Sequence, residues 1–182
     1  MQTLNTILDI ASKQLPAAGV DCILIGGFAV DYYGYTRNTV DIDFMIFTEQ
    51  LEKVRDIMTK SGFTNIIIED TVAFFEKPDS AFRVDFLRVN KQTQQKLNNN
   101  AVDAKIYGYD LKVPALIDLI SMKIFALSQN LTRRMAKDLP DISYLILLND
   151  LDLESDIRPI CDKFGSPEIY ELIEKQNLEL RQ

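Results

Sequence analysis

Histidine and tryptophan are absent from this 182-residue chain, and cysteine occurs only twice. Without imidazole there is no Ser-His-Asp or Cys-His nucleophile system, no His-ligated zinc and no histidine general base. Cys22 and Cys161 are too few for a four-cysteine zinc site or a disulfide framework. What remains is the chemistry of carboxylates, lysine, arginine and the backbone. A metal site built from that set is oxygen-rich and selects hard cations such as Mg²⁺ or Mn²⁺. No apolar run approaches the ~20 residues of a membrane span, and residues 1–9 carry no basic segment leading into an apolar one. The expectation is a cytoplasmic protein with no membrane partner.

Charge is unevenly spread. The chain carries 20 Lys plus Arg against 27 Asp plus Glu, a net −7, and residues 141–182 hold ten acidic and four basic side chains, so −6 of that total lies in the last 42 residues. This balance argues against a surface that coats nucleic acid in bulk, while a local basic cleft is still allowed. A chain of this size buries roughly 70% of its unfolded surface and needs no covalent staples.

Neither an internal repeat nor a Gly/Ser linker interrupts the chain. The periodicity predicts an α+β fold: a small mixed β-sheet core over 1–110 and a helical C-terminal region over 111–182 packed on that core. Leu4, Ile7, Leu8, Ala11 and Leu15 recur at helical spacing up to Pro16. A buried strand over 22–25 ends at Gly26-Gly27, followed by a short helix over 28–33 closed by Gly34. The segment 39–47 alternates, with Asp41, Asp43 and Met45 on one face and Ile42, Phe44 and Ile46 on the other. Thr48 is expected to cap the next helix. Strands over 64–68, 72–75 and 82–87 follow, joined by turns (the second over 77–80) short enough to make them antiparallel neighbours. After a polar stretch over 91–100 come a hairpin around Gly108, an apolar helix over 114–129, a helix through 142–148 with Pro140 in its first turn, and a last helix capped by Ser166.

Asp41 and Asp43 carry most of the chemical information. Residues i and i+2 of a strand project from one face with Cα atoms about 6 to 7 Å apart, close enough for two carboxylates to share one cation or a pair of them. The alternative is a solvated strand face, which leaves two acids in an otherwise apolar strand unexplained. Asp85, in Arg83-Val84-Asp85-Phe86-Leu87, is either the ion-pair partner of Arg83 or of another cation across the sheet, or a third ligand or general base, should its strand lie beside the first. Gly26-Gly27 reads as a tight turn, or as a place where phosphate approaches bare backbone. Lys123 has Leu119, Ile120, Ala126 and Leu127 as helical neighbours; it either snorkels to water or meets a buried anion such as a triphosphate. Arg133, Arg134 and Lys137 complete a stretch over 119–137 with no acidic member. Lys137 and Asp141 stand at i, i+4 like an ordinary surface pair, and Asp138 could cap the helix opened by Pro140.

Together these residues resemble a known family. Gly26-Gly27, then Arg37, Thr39 and Asp41-Ile42-Asp43, then Val84-Asp85-Phe86 are similar to the signature of the polymerase beta-like nucleotidyltransferase superfamily. Adding Lys123-Ile124-Phe125-Ala126 and Lys137-Asp138-Leu139-Pro140-Asp141-Ile142, the pattern over about 20–145 resembles its AbiEii-like group, which includes toxins of toxin–antitoxin systems. The resemblance implies Mg²⁺- or Mn²⁺-dependent transfer of a nucleoside monophosphate from an NTP to a hydroxyl of RNA, protein or a small molecule. By the same resemblance Asp41, Asp43 and Asp85 hold metal and catalyse, Gly26, Gly27, Arg37, Thr39 and Lys123 bind the nucleotide, and a cognate toxin or antitoxin is a partner. Two alternatives stay open: a non-catalytic nucleotide- or partner-binding module such as an antitoxin or regulator, and an enzyme modifying an aminoglycoside-like hydroxyl, whose positive charge would suit the acidic C-terminal segment.

Overall fold

In the computed structural model, residues 2–78 and 80–182 are described. Met1, in the stretch read for a leader, and Asp79, in the expected 77–80 turn, lie outside the described residues. The chain divides into two compact units, Met1–Ala29 with Arg37–Ala115, and Val30–Thr36 with Leu116–Gln182.

The first unit is built on a five-stranded mixed sheet in the order β1-β2-β5-β4-β3. Its strands are β1 (Cys22–Ile25), β2 (Asp41–Phe47), β3 (Asn65–Ile68), β4 (Val72–Glu76) and β5 (Arg83–Val89). β2 runs parallel to β5 and antiparallel to β1, while β3, β4 and β5 form the expected antiparallel run. One face is the core: Ile42, Phe44, Val84, Phe86, Ala73 and Phe75 are all buried. Phe86 stacks on Phe44 and meets Phe75 edge-on, each at 5.5 Å between centroids, and each buried phenyl contributes about 1.5 to 3 kcal/mol from area alone.

Helices α1 (Gln2–Asp9), α2 (Leu15–Ala17), α3 (Gly26–Tyr32), α4 (Leu51–Lys60) and α5 (Lys91–Asn100) accompany these strands, with α3 shared between the units. The N-terminal helix does not stop at Pro16. A π turn over Ile10–Gln14 leads into α2, and Pro16 sits within its first two positions, where a missing N–H is harmless. Thr48 does not cap α4 either. It opens a 3₁₀ turn, Thr48–Gln50, and its hydroxyl donates to the Val89 carbonyl at 3.0 Å. The hairpin around Gly108 forms as a separate two-stranded sheet, β6 (Val102–Ile106) and β7 (Tyr109–Val113).

The second unit is helical: α6 (Leu116–Gln129), α7 (Leu131–Leu148), α8 (Arg158–Phe164) and α9 (Pro167–Leu180), with a π turn at Leu153–Ile157. Ser166 caps α9 as expected, accepting from the Ile169 N–H. Pro140, however, lies inside α7 rather than in its first turn. The helix begins nine residues earlier, where the Asn130 side chain accepts from the Arg133 N–H at 3.1 Å. Residues 131–137 are exposed throughout, so no apolar period marked this part of the helix in the sequence. The segment Val30–Thr36 joins this unit through Tyr35, which stacks on Tyr144 at 4.1 Å, and through the Tyr33 carbonyl, which accepts from Asn149.

Candidate active site

The sheet register assembles the acidic residues. Asp43 pairs with Asp85 and Asp41 with Arg83 across the parallel β2–β5 ladder, so all four side chains leave one face of the sheet in a two-by-two block. Across β4 the same rows continue to Phe74, opposite Asp85, and Glu76, opposite Arg83. On the other side Asp43 faces Ile25, the last residue of β1, which delivers the chain into Gly26.

Gly26 fits that position for two reasons. Its φ of +65° is a left-handed conformation, and a Cβ there would overlap the Asp43 carboxylate, with the Asp43 Cβ only 2.8 Å away. The missing side chain therefore houses a carboxylate. Gly27 is similarly tight: a Cβ would come within 3.1 Å of the Thr39 side chain. Thr39 is itself held by donating its hydroxyl to the Asp41 carbonyl at 3.1 Å. Gly26 thus touches Asp43, and Gly27 touches Thr39, at the edge of the acidic block. Arg37 lies in the loop before β2, where its guanidinium donates to the Asn38 carbonyl at 3.3 Å.

Asp85 is the most enclosed of the three acids, 8% exposed. Arg83 grips it with two parallel bonds, Nε to Oδ1 at 2.7 Å and an Nη to Oδ2 at 2.8 Å, and also lies 3.3 Å from Asp41 Oδ1. This bidentate bond to Asp85 holds Arg83 protonated even more firmly than usual, with the nearby Asp41 and Glu76 charges adding to it. Asp85 therefore pairs with Arg83, as one sequence reading expects, and its strand lies beside Asp41 and Asp43, the condition on which the ligand or general-base reading depends. As the side chains stand, no three Asp, Glu or Cys groups among the described residues are arranged to hold one metal ion. The donor set is nevertheless the hard-oxygen set that Mg²⁺ or Mn²⁺ takes. A cavity of about 430 Å³, lined by Asp41, Asn65, Glu76, Lys77, Ser80 and Arg83 among others, opens beside the block.

Lys123 belongs to the second unit. It is 6% exposed, and its ammonium donates to Asp138 Oδ1 at 2.9 Å and Asp141 Oδ2 at 2.7 Å. The anion that a buried lysine demands is supplied by α7 itself. Asp138 is thus no helix cap, and Asp141, fully buried, is no surface residue.

No protein-family model and no curated protein matches the chain. Solved structures do match in fold. A crystal structure of ANT(2'')-Ia in complex with adenylyl-2''-tobramycin aligns with a TM-score of 0.61 at 15% identity, covering 98% of this chain and 99% of that one. An antigenic nucleotidyltransferase-like protein from Paracoccidioides brasiliensis aligns with a TM-score of 0.60 at 18% identity, covering 97% and 88%. The lincosamide antibiotic adenylyltransferase LnuA, lincomycin-bound, aligns with a TM-score of 0.57 at 16% identity, covering 81% and 96%. The fold is that of nucleotidyltransferases.

Within this nucleotidyltransferase fold, one residue of the acidic face was not singled out for a role in the sequence. Arg83 read only as the ion-pair partner of Asp85. Its i, i+2 spacing to Asp85 was visible, but its contact with Asp41 depends on the β2–β5 register, which no local pattern specifies.

Proposed function

We propose that the chain is a divalent-metal-dependent nucleotidyltransferase that moves a nucleoside monophosphate from an NTP to a hydroxyl of a small cationic acceptor. The observation that carries this reading is the acidic block: Asp41 and Asp43 on one strand face, Asp85 in register with Asp43, and Gly26 stripped of a side chain where Asp43 needs the room. Asp41, Asp43 and Asp85 would hold Mg²⁺ or Mn²⁺, and the bound ion would neutralise charge on the transferring phosphoryl group.

In the transfer, the acceptor oxygen forms a bond to the α-phosphorus, the bond from that phosphorus to the pyrophosphate oxygen breaks, and the hydroxyl proton leaves to a carboxylate, for which Asp85 is the candidate. Arg37 supplies positive charge near the triphosphate, and Gly26, Gly27 and Thr39 shape the backbone around it. Lys123 is already engaged by Asp138 and Asp141, so its charge is balanced without a phosphate.

Acceptor chemistry is argued from charge. A net −7 disfavours a polyanionic acceptor such as RNA, which the AbiEii-like resemblance would allow. Two of the matched structures hold adenylyl-2''-tobramycin and lincomycin. A second reading, a nucleotide-binding module without turnover that serves as an antitoxin or regulator, is favoured by one observation only, the Arg83–Asp85 pair that occupies the third carboxylate.

The test is an assay with α-labelled NTP, Mg²⁺ and a panel of polyamine, aminoglycoside and RNA acceptors. Label should reach a cationic small molecule, and Asp41→Asn or Asp43→Asn should reduce transfer at least about 100-fold, the scale of losing a charge-stabilising group. Thermal stability should hold or rise in Asp43→Asn, because Asp43 and Asp85 are like charges directly opposite, and fall slightly in Asp41→Asn, which loses its ion pair with Arg83. Unfolding of both variants would make these carboxylates structural, and NTP binding without pyrophosphate release would favour the second reading.

A further inference from the structure

Arg83 stands on the acidic face, and the transfer chemistry above gives it no task. Its guanidinium binds both oxygens of Asp85 and reaches Asp41, two of the three carboxylates assigned to the metal. We propose that Arg83 is a resident counter-ion of the carboxylate site, a positioning residue that holds Asp85 and Asp41 until the divalent ion arrives and is displaced by it. The inference rests on the metal-dependent reading and deepens it.

Three observations converge. Asp43 and Asp85 are direct cross-strand neighbours, so like charges meet at the most enclosed acid of the ladder, and a cation bound to Asp85 relieves their repulsion. Arg83 provides that cation from within the same strand. The fork of two parallel bonds fixes the Asp85 carboxylate toward Arg83, and among the described residues no three acidic groups then converge on one point. A divalent ion drawing on Asp41 and Asp85 would compete for the same oxygens and repel the guanidinium, so entry of one favours exit of the other.

The exit is also built. The Arg83 side chain is 38% exposed where that of Asp85 is 11%, so the arginine is the partner able to move. Its guanidinium carbon already lies 4.9 Å from the centre of the Phe74 ring, and Glu76 stands opposite it in the β4–β5 ladder. Glu76 and Phe74 together offer the displaced cation a carboxylate and a ring face beside the cavity that Arg83 lines. Arg83 keeps a counter-charge in both positions, and the carboxylate block keeps a cation in both.

The consequence is measurable without turnover. Mn²⁺ binding is followed by titration calorimetry, and thermal midpoints are recorded with and without Mn²⁺, for the wild-type chain, Arg83→Gln, Arg83→Lys and Asp43→Asn. Arg83→Gln should bind Mn²⁺ about tenfold more tightly than wild type, within the usual range for coupled binding events. Its midpoint should be lower than wild type without metal and show the larger upward shift with it. Arg83→Lys, which keeps a charge and loses the fork, should bind with intermediate affinity, and it decides the matter should Arg83→Gln not fold. A merely structural arginine would weaken metal binding when removed. Equal or weaker Mn²⁺ binding by the Arg83 variants, with Asp43→Asn losing the wild-type binding, overturns the role of Arg83 alone. No Mn²⁺ binding by any of the four proteins overturns the metal-dependent reading as well.

Discussion

A methyl group at position 26 would meet the Asp43 carboxylate, whereas one at position 108 would meet nothing within 4 Å, although both glycines have positive φ. The pair separates backbone strain from site geometry. Left-handed backbone costs a non-glycine residue roughly 1 to 2 kcal/mol, so Gly108→Ala should lower stability in urea denaturation by about that much, and Gly26→Ala by more, because its Cβ also overlaps Asp43. Only Gly26→Ala should also push Asp43 aside and lose nucleotide transfer and Mn²⁺ binding. Equal activity in the two variants would mean that Asp43 has no fixed station. At this scale the sequence was informative about Asp41 and Asp43, because acids alternating with Ile42 and Phe44 can lie on only one strand face. It was uninformative about why Gly26 is glycine. A missing side chain records that space is needed and leaves unsaid whether backbone, ligand or carboxylate fills it.

The elements show a similar division. Strand β2 was legible because its polar-apolar alternation is local, and β3, β4 and β5 because they are short apolar segments whose connecting turns left few pairings open among them. Helix α7 was legible only in its second half. Its exposed first two turns carry no apolar stripe, and Pro140 looked like a start signal because a proline inside a helix normally costs about 3 kcal/mol. What offsets that cost includes the pairing between α6 and α7, where Asp138 and Asp141, one turn apart, close on Lys123 within a setting of Leu119, Ile120, Ile142 and Leu145. Removing one partner strands buried charge. Lys123→Met should therefore destabilise the chain by about 3 to 5 kcal/mol in equilibrium unfolding. Replacing all three groups, as Lys123→Met with Asp138→Leu and Asp141→Leu, should recover much of that loss, because an apolar cluster of similar volume carries no desolvation penalty. If Lys123→Met alone is neutral, the ammonium is not committed to these carboxylates and is available for other anions.

For the molecule as a whole, the uneven charge becomes a statement about partners. The excess of acid within 141–182 belongs to α7, α8, α9 and the segments joining them, where Glu154, Glu168, Glu171, Glu174 and Glu179 outnumber Arg158, Lys163 and Lys175. Some of that charge is spent locally, as where Glu154 holds Arg158 in two bonds of 2.5 and 2.7 Å and accepts from the Tyr170 hydroxyl. The remainder is a long-range field that attracts polycations and repels phosphate backbones. Such a field is screened as the Debye length shrinks from about 10 Å in 0.1 M salt to about 3 Å in 1 M. Calorimetric binding of a polyamine acceptor should accordingly weaken steeply across that range, and a neutral sugar of similar size should bind poorly at any salt concentration. Glu171→Lys with Glu174→Lys, which moves the net charge from −7 to −3, should weaken polyamine binding and leave nucleotide binding equal or tighter. Polyamine affinity that ignores both salt and these substitutions would remove charge as the basis of acceptor choice, and tighter binding of RNA than of the polyamine would return the acceptor to the nucleic acids.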